Sequence, residues 1–236
     1  MRVTFYSQKS HISGEFMIIE FNDTSIDLIP TKIVAVARNY RAHAQEMGSP
    51  VPEEPTIFLK PPSSLVGDKS TVILPKVSQR VDYEVELAVI MKTRCKNVSA
   101  EQAYQHIMGY TICIDVTARD IQAEAKKKGL PWAVPKGFDT FSPTGPKIVP
   151  PDAIDPHNAD IWLKINNTYR QRGNTKNMIF LVGELISYIS MVMTLEPMDI
   201  IATGTPEGVG PMEDGDIIEA GIDGIGTLRF TAQKEK

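Results

Sequence analysis

The sequence predicts an α+β fold dominated by mixed or antiparallel sheet, and three observations carry that reading. Segments of strand character outnumber helical ones, no strand–helix–strand rhythm repeats, and the C-terminal segment reads as paired strands. At 236 residues the chain is long for one domain and short for two. No stretch of linker composition divides it, so we expect a short N-terminal β appendage over residues 1–31 and a main domain over 32–236.

In chain order, residues 1–5 begin like a strand and residues 16–21 hold the best strand of the appendage. Residues 32–37 form an apolar, β-branched run typical of a buried strand. Asn39 is placed to cap a short helix reaching Met47, with Gly48 at its C-terminal end. Prolines 50, 52, 55, 61 and 62 then bracket a strand at 56–60. A strand at 82–91, a helix at 100–107 and a strand at 110–115 follow. Thr117 and Asp120 have the spacing of a capping box and open a helix that runs to Gly129. Beyond a loop holding Pro131, Trp132, Lys136 and Phe138 come strand signals at 160–163 and 164–166. A helix near 178–194, a strand at 199–203 and a turn-rich loop at 204–210 lead to paired strands at 216–220 and 226–230.

Composition narrows the class of partner. With 42% hydrophobic and 23% charged residues, the chain can build a sizeable core. The net charge of −4, with Lys and Arg scattered, argues against a nucleic-acid partner. The one basic cluster, Lys126-Lys127-Lys128, sits at a predicted helix C-terminus, where cations favour the negative end of the dipole. Cys95 and Cys113 lack metal spacing and read as reduced cysteines of a cytoplasmic protein. The apolar stretch 178–195 is broken by Gly183, Glu184, Ser187 and Ser190, so it reads as a buried helix rather than a membrane span.

The chemistry begins with carboxylates. Side chains alternate along a strand, so Asp82, Glu84 and Glu86 share a face. Acids in alternation usually mark a solvated face, but here the strand continues as Leu87-Ala88-Val89-Ile90-Met91, apolar on both sides. Carboxylates at the mouth of a buried strand lose hydration and repel one another, so they need protons or a cation. A second apolar strand ends in the same way, Ile112-Cys113-Ile114 followed by Asp115. Glu84, Glu86 and Asp115 are hard oxygen ligands without thiol or His partners, a set suited to Mg2+ or Mn2+. Three protein ligands leave about three octahedral positions for water and substrate, as catalysis requires.

On the short helix after Arg38, His43 and Glu46 stand three apart and share a face. Such a pair is often only a surface contact. It also fixes the tautomer of a general base that works near neutral pH. The helix lies between Pro-rich segments, as a lid would.

Taken together, Arg38-Asn39-Tyr40, His43, Glu46, Phe58-Leu59-Lys60-Pro61 and Asp82-Tyr83-Glu84-Val85-Glu86-Leu87 resemble the fumarylacetoacetate hydrolase superfamily. The resemblance continues through Asp115-Val116-Thr117-Ala118-Arg119-Asp120, the run from Lys126 to Trp132, Lys136, and the loop from Thr203 to Gly210, covering roughly 32–230. It is similar above all to the acylpyruvase and oxaloacetate decarboxylase branch. The resemblance implies a mixed β-sheet roll with a few flanking helices, a homodimer, and Mg2+ or Mn2+ on Glu84, Glu86 and Asp115. It implies catalytic roles for His43, Glu46 and Lys136, and an oxo-acid held by Arg38, Arg119, Gln122, Lys136 and Thr205. Spacing alone would place Arg119 and Gln122 together on one helix face; it would have singled out neither Lys136 nor Thr205.

The implied reaction is cleavage of the C3–C4 bond of a 2,4-dioxo acid to pyruvate and a carboxylic acid, or decarboxylation of oxaloacetate. A 2-hydroxyhepta-2,4-diene-1,7-dioate-type isomerase would use the same site. A non-catalytic oxo-acid or metal-binding protein would have no use for the His43–Glu46 pair. Gly221 to Gly226 is followed by a strand, not the helix of a dinucleotide loop.

Overall fold

The computed structural model describes residues 17–236. The strand-like start at residues 1–5 lies outside the described residues, as does Phe16; the rest of that second segment is the strand Met17–Phe21. Among the described residues, strands dominate and fall into three sheets, the two larger ones of mixed direction and the small one antiparallel, as the α+β reading expects.

The largest sheet has nine strands. In spatial order eight of them are Thr24–Leu28, Met17–Phe21, Ser142–Val149, Ile107–Ile114, Val85–Met91, Ile200–Ala202, Ile33–Ala37 and Thr56–Lys60, and Leu65–Val66 pairs onto Ser142–Val149. Met17–Phe21 joins the sheet through a parallel pairing with Ser142–Val149, so this part of the N-terminal segment is tied to the main sheet. A five-stranded sheet orders Thr168–Asn174, Asp160–Ile165, Ile217–Ile222, Gly226–Lys234 and Thr71–Leu74. A small sheet of Thr117–Ala118, Val81–Tyr83 and Gly210–Pro211 closes one end.

Val85–Met91 lies at the centre and is buried at every position. Its period of two sends Val85, Leu87, Val89 and Met91 into the larger hydrophobic cluster, and Ala88 and Ile90 into a smaller one with Cys113 and Ile200. Each fully buried Val, Leu or Ile here contributes roughly 1.5–3 kcal/mol, which offsets the cost of holding carboxylates at the strand's mouth.

The helix expected near 178–194 is Val182–Val192, preceded by a 3-10 turn at Thr175–Asn177. Gly183 is needed there because a Cβ would stand 2.5 Å from the Ala100 carbonyl oxygen. The helix expected at 100–107 keeps its α form only over Ala100–Ala103, capped by Ser99 and Gln102, and continues as a 3-10 turn. No helix among the described residues is long and apolar enough to cross a membrane.

Two expected caps are replaced. Tyr40, not Asn39, stands at the N-terminus of the helix Arg41–Glu46, and no side chain caps it. Asn39 instead accepts from Phe180 N and donates to Phe180 O and Thr203 O, tying two distant loops together. The Thr117–Asp120 box is also absent, because Ala118 precedes the helix Arg119–Lys128. Thr117 donates to Asp115 O, and Asp120 accepts from Ser78 and Gln79. Tertiary partners claim Asn39 and Asp120, whereas Thr117 turns to a carbonyl two residues back.

The signals at 160–163 and 164–166 merge into one strand, Asp160–Ile165, with a register shift after Leu163. Its hairpin partner Thr168–Asn174 has one apolar residue, Tyr169, and carried no strand signal. The connecting Asn166 and Asn167 both have positive φ, the conformation a two-residue hairpin turn demands.

Candidate metal centre and cavity

The expected strand at 82–91 is interrupted at Glu84. Val81–Tyr83 belongs to the small sheet and Val85–Met91 to the large one. At the break, Glu84 O accepts from Asp115 N at 2.8 Å, and Val85 N donates to the Gln171 side chain at 3.0 Å. Gln171 is fully buried and also donates to Thr205 and to Pro206 O, so it fastens the break to the loop after Thr203. That fastening brings Glu84, Glu86 and Asp115 together. One carboxylate oxygen of each lies within 4.8 Å of the others, and all three residues are buried.

The surrounding cations are unevenly shared. Lys136 donates to Glu84 at 3.0 Å and to Asp115. Lys60, fully buried, donates to the other Asp115 oxygen at 2.6 Å and to Val116 O at 3.2 Å. Arg119 bonds Glu84, Asp82 and Gln122. Asp82 is thus drawn away from the triad: it holds Arg119 on one side and Arg80 on the other. Glu86 receives only Gly204 N, at 2.8 Å, and no Lys or Arg among the described residues pairs with it. Gly204 has φ +99, and a Cβ there would meet Asn39 Cβ at 2.6 Å, so only glycine lets the backbone reach Glu86.

Electrostatics follow from this sharing. Burial pushes Glu86 well above the usual carboxylate range, and the charges of Asp115 and Glu84 add to the effect. Burial acts the same way on Glu84, but Lys136 and Arg119 outweigh it and hold that group below the range. Burial lowers Lys60, with Asp115 opposing. For Lys136 burial is outweighed by Asp115 and Glu84, and the ammonium is held above its ordinary value. Burial also takes the Cys113 thiol up to about 12, which makes it an inert core residue. A buried Glu86 with two carboxylate neighbours and no cation of its own is the feature that fits a metal. The hard oxygen set fits Mg2+ or Mn2+.

The triad opens into a cavity of about 220 Å³ whose walls include Arg38, His43, Arg119, Gln122, Lys126 and Thr205. His43 is 5% exposed, and its Nδ1 lies 3.2 Å from Glu46. Glu46 also accepts from Gly208 N, so one carboxylate orients the imidazole and ties its helix to the 204–210 loop. Phe58 and Trp132 meet edge to face at 5.5 Å and form an aromatic wall.

Arg38, His43, Glu84, Glu86, Asp115, Arg119, Gln122 and Thr205 all line this cavity, and Glu46 and Lys136 support it from behind. Lys136 sits behind the carboxylates, its ammonium spent on Glu84 and Asp115, and it does not line the cavity. Sequence reasoning missed the placements of Lys60, Gln171 and Lys126. A lone lysine at the end of an otherwise apolar strand was the available signal for Lys60; Gln171, in a polar edge strand, offered none.

Comparison with known proteins identifies the family. The family model described as Fumarylacetoacetate (FAA) hydrolase C-terminal matches residues 32–233. The chain is 47% identical over 203 residues to oxaloacetate tautomerase FAHD1, mitochondrial, of Bos taurus, covering 86% of this chain and 91% of that one. A solved fumarylpyruvate hydrolase from Pseudomonas aeruginosa, in complex with Mn2+ and pyruvate, superposes with a TM-score of 0.89 at 31% identity, over 99% and 100% of the two chains. A 5-carboxymethyl-2-hydroxymuconate delta-isomerase from Mycobacterium smegmatis superposes with a TM-score of 0.80 at 43% identity, over 89% and 81%. With the fold, the carboxylate triad and these matches in agreement, the chain belongs to the fumarylacetoacetate hydrolase family.

Proposed function

We propose that the chain is a Mg2+- or Mn2+-dependent enzyme of small 2-oxo acids. It cleaves the C3–C4 bond of acylpyruvates to pyruvate and a carboxylic acid, and decarboxylates oxaloacetate. The observation that carries this reading is one cavity holding both a carboxylate triad, with Glu86 lacking a cation, and a His43–Glu46 pair. A divalent cation on Glu84, Glu86 and Asp115 would supply a Lewis acid for the negative charge developing on the 2-oxo oxygen.

The remaining work falls to side chains. With Nδ1 held by Glu46, His43 presents Nε2 to take a proton from the water that attacks the C4 carbonyl. The electron pair of the breaking C3–C4 bond moves toward the 2-oxo oxygen, and C3 is then protonated to give pyruvate. Arg119, Gln122 and Thr205 orient the acid, and Lys60 and Lys136 keep Asp115 in place. With oxaloacetate, loss of carbon dioxide produces the same electron flow without water.

Tautomerisation of oxaloacetate is the second reading, favoured by 47% identity to a protein of that name. It needs only removal of a C3 proton and its return at oxygen, which His43 can serve without water. The isomerase relative keeps a third reading open on the same residues. The family resemblance also supports residues 32–236 as the catalytic domain of a cytoplasmic homodimer, whose mass sedimentation equilibrium would check.

The test incubates the protein with acetylpyruvate and, separately, oxaloacetate, each with Mg2+ or chelator, beside an enzyme-free control. Pyruvate and the enol absorbance of oxaloacetate are followed. Metal-dependent pyruvate supports cleavage or decarboxylation; loss of enol without pyruvate moves the reading to tautomerisation. His43→Ala should lower turnover about 10²–10⁴-fold with little change in KM. Equal loss of binding and turnover would contradict a proton-transfer role.

A further inference from the structure

The cations around the triad are already matched in number by carboxylates. Arg80, Arg119, Lys60 and Lys136 pair with Asp82, Glu84 and Asp115, and Glu86 stands beside them as the fourth carboxylate without a cation of its own. Two further cations line the same cavity, Arg38 and Lys126, and among the described residues neither pairs with any carboxylate. Lys127 and Lys128 both turn to Glu124, whereas the Lys126 ammonium lies 5.3 Å from the centre of the Trp132 ring, at the cavity wall. Arg38 reaches only Thr56, at 3.4 Å, and its buried Nε has no partner. Its backbone stands at φ +59, a left-handed conformation that a non-glycine residue adopts at a cost. Burial lowers Lys126 below the ordinary lysine range, and the charges of Arg119, Lys136 and Arg38 add to the effect, with only Glu84 opposing. Two like charges, a half-buried Arg38 and a Lys126 at the exposed rim, therefore face one cavity with no carboxylate paired to either.

The geometry points to Arg38 and Lys126 as a second carboxylate subsite that selects dicarboxylic 2-oxo acids over their monocarboxylic counterparts. The inference rests on the oxo-acid reading above and narrows it. The first carboxylate and the 2-oxo group lie toward the triad and Arg119; the far carboxylate meets Arg38 and Lys126, with Phe58 and Trp132 flanking the carbon chain. A chain ending in methyl leaves both cations unanswered and gains only apolar contact. Lys126 is then a specificity residue of this chain, distinct from the helix-terminal role its two neighbours serve.

The test measures binding as well as turnover. With Mg2+ present, calorimetry compares 2-oxoglutarate with 2-oxopentanoate, and 2-oxoadipate with 2-oxohexanoate; each pair differs only in a terminal carboxylate against methyl. In the wild type we expect the diacid to bind about tenfold or more tightly in the pair whose length reaches the subsite, as a charge-assisted contact provides. Lys126→Gln and Arg38→Gln should each bring the ratio within about threefold, and the wild-type preference should shrink as salt rises. Lys126 is on an exposed helix end where Gln is well tolerated, so this variant remains informative if Arg38→Gln misfolds. Equal affinities within both pairs, or an unchanged ratio in Lys126→Gln, overturn the subsite alone. Failure of all four acids to bind, with neither acetylpyruvate nor oxaloacetate turned over, overturns the oxo-acid reading and the subsite with it.

Discussion

Removing the ammonium of Lys60 tests the charge logic of the centre most directly. Lys60→Met keeps the length and apolar character of the side chain while deleting the donor to Asp115 and to Val116 O. Breaking one side of a buried ion pair costs about 3–5 kcal/mol. Lys136 still holds the other Asp115 oxygen, so the lower end, about 3 kcal/mol, is the appropriate figure. For a chain of this size that lowers Tm by roughly 6–12 °C. A divalent cation acts in the opposite direction, because deleting a positive charge beside the triad strengthens its attraction for Mg2+ or Mn2+. Thermal unfolding should therefore show the variant well below wild type in chelator. Added metal should raise its Tm by more than it raises the wild type's, since stabilisation grows with affinity. A variant as stable as wild type in chelator would refute the burial argument. One that gains less than wild type from metal would refute the placement of the cation.

Glu86→Gln should abolish stabilisation by Mg2+ and Mn2+ while leaving Tm in chelator unchanged or higher, because it replaces a buried carboxylate that has no cation partner; a lower Tm in chelator would contradict this. The pH dependence separates two members of the triad. Glu86 is raised above its unfolded value, so in chelator its contribution is present below the ordinary Glu value of about 4.3 and is lost as pH rises through the folded pKa. Glu84 is depressed, so its contribution is present above that value and is lost as pH falls toward strong acid. Unfolding followed against pH in chelator should show the declining upper limb in wild type and not in Glu86→Gln; identical limbs would rule out Glu86 as its source.

The core strands were legible because their hydrophobic periods are local: residues 32–37, 56–60, 110–115 and the apolar half of 82–91 all fall on observed strands. The triad was legible for a related reason, since an acid at the mouth of a strand apolar on both faces has few ways to exist. Thr168–Asn174 and Ser142–Val149 were not legible. The first is a polar edge strand; the second is fragmented by Pro143, Gly145 and Pro146. The capping expectations at Asn39 and Thr117 failed because both side chains found partners elsewhere, Asn39 in distant loops.

By itself the sequence determined which residues must be buried together, the α+β class, the three candidate ligands and the His43–Glu46 spacing, because each follows from periodicity or from the chemistry of a side chain. Only the tertiary structure decided how charge is shared. Asp82 shares a strand face with Glu84 and Glu86 in the sequence pattern, yet Arg80 and Arg119 claim it, and Glu86 alone is left without a cation. Lys60 and Lys136 come from segments 76 residues apart to hold the two oxygens of one aspartate, while Lys126 turns from its neighbours toward the cavity. Partner choice among buried charges depends on distances between distant segments, and no local pattern encodes those distances.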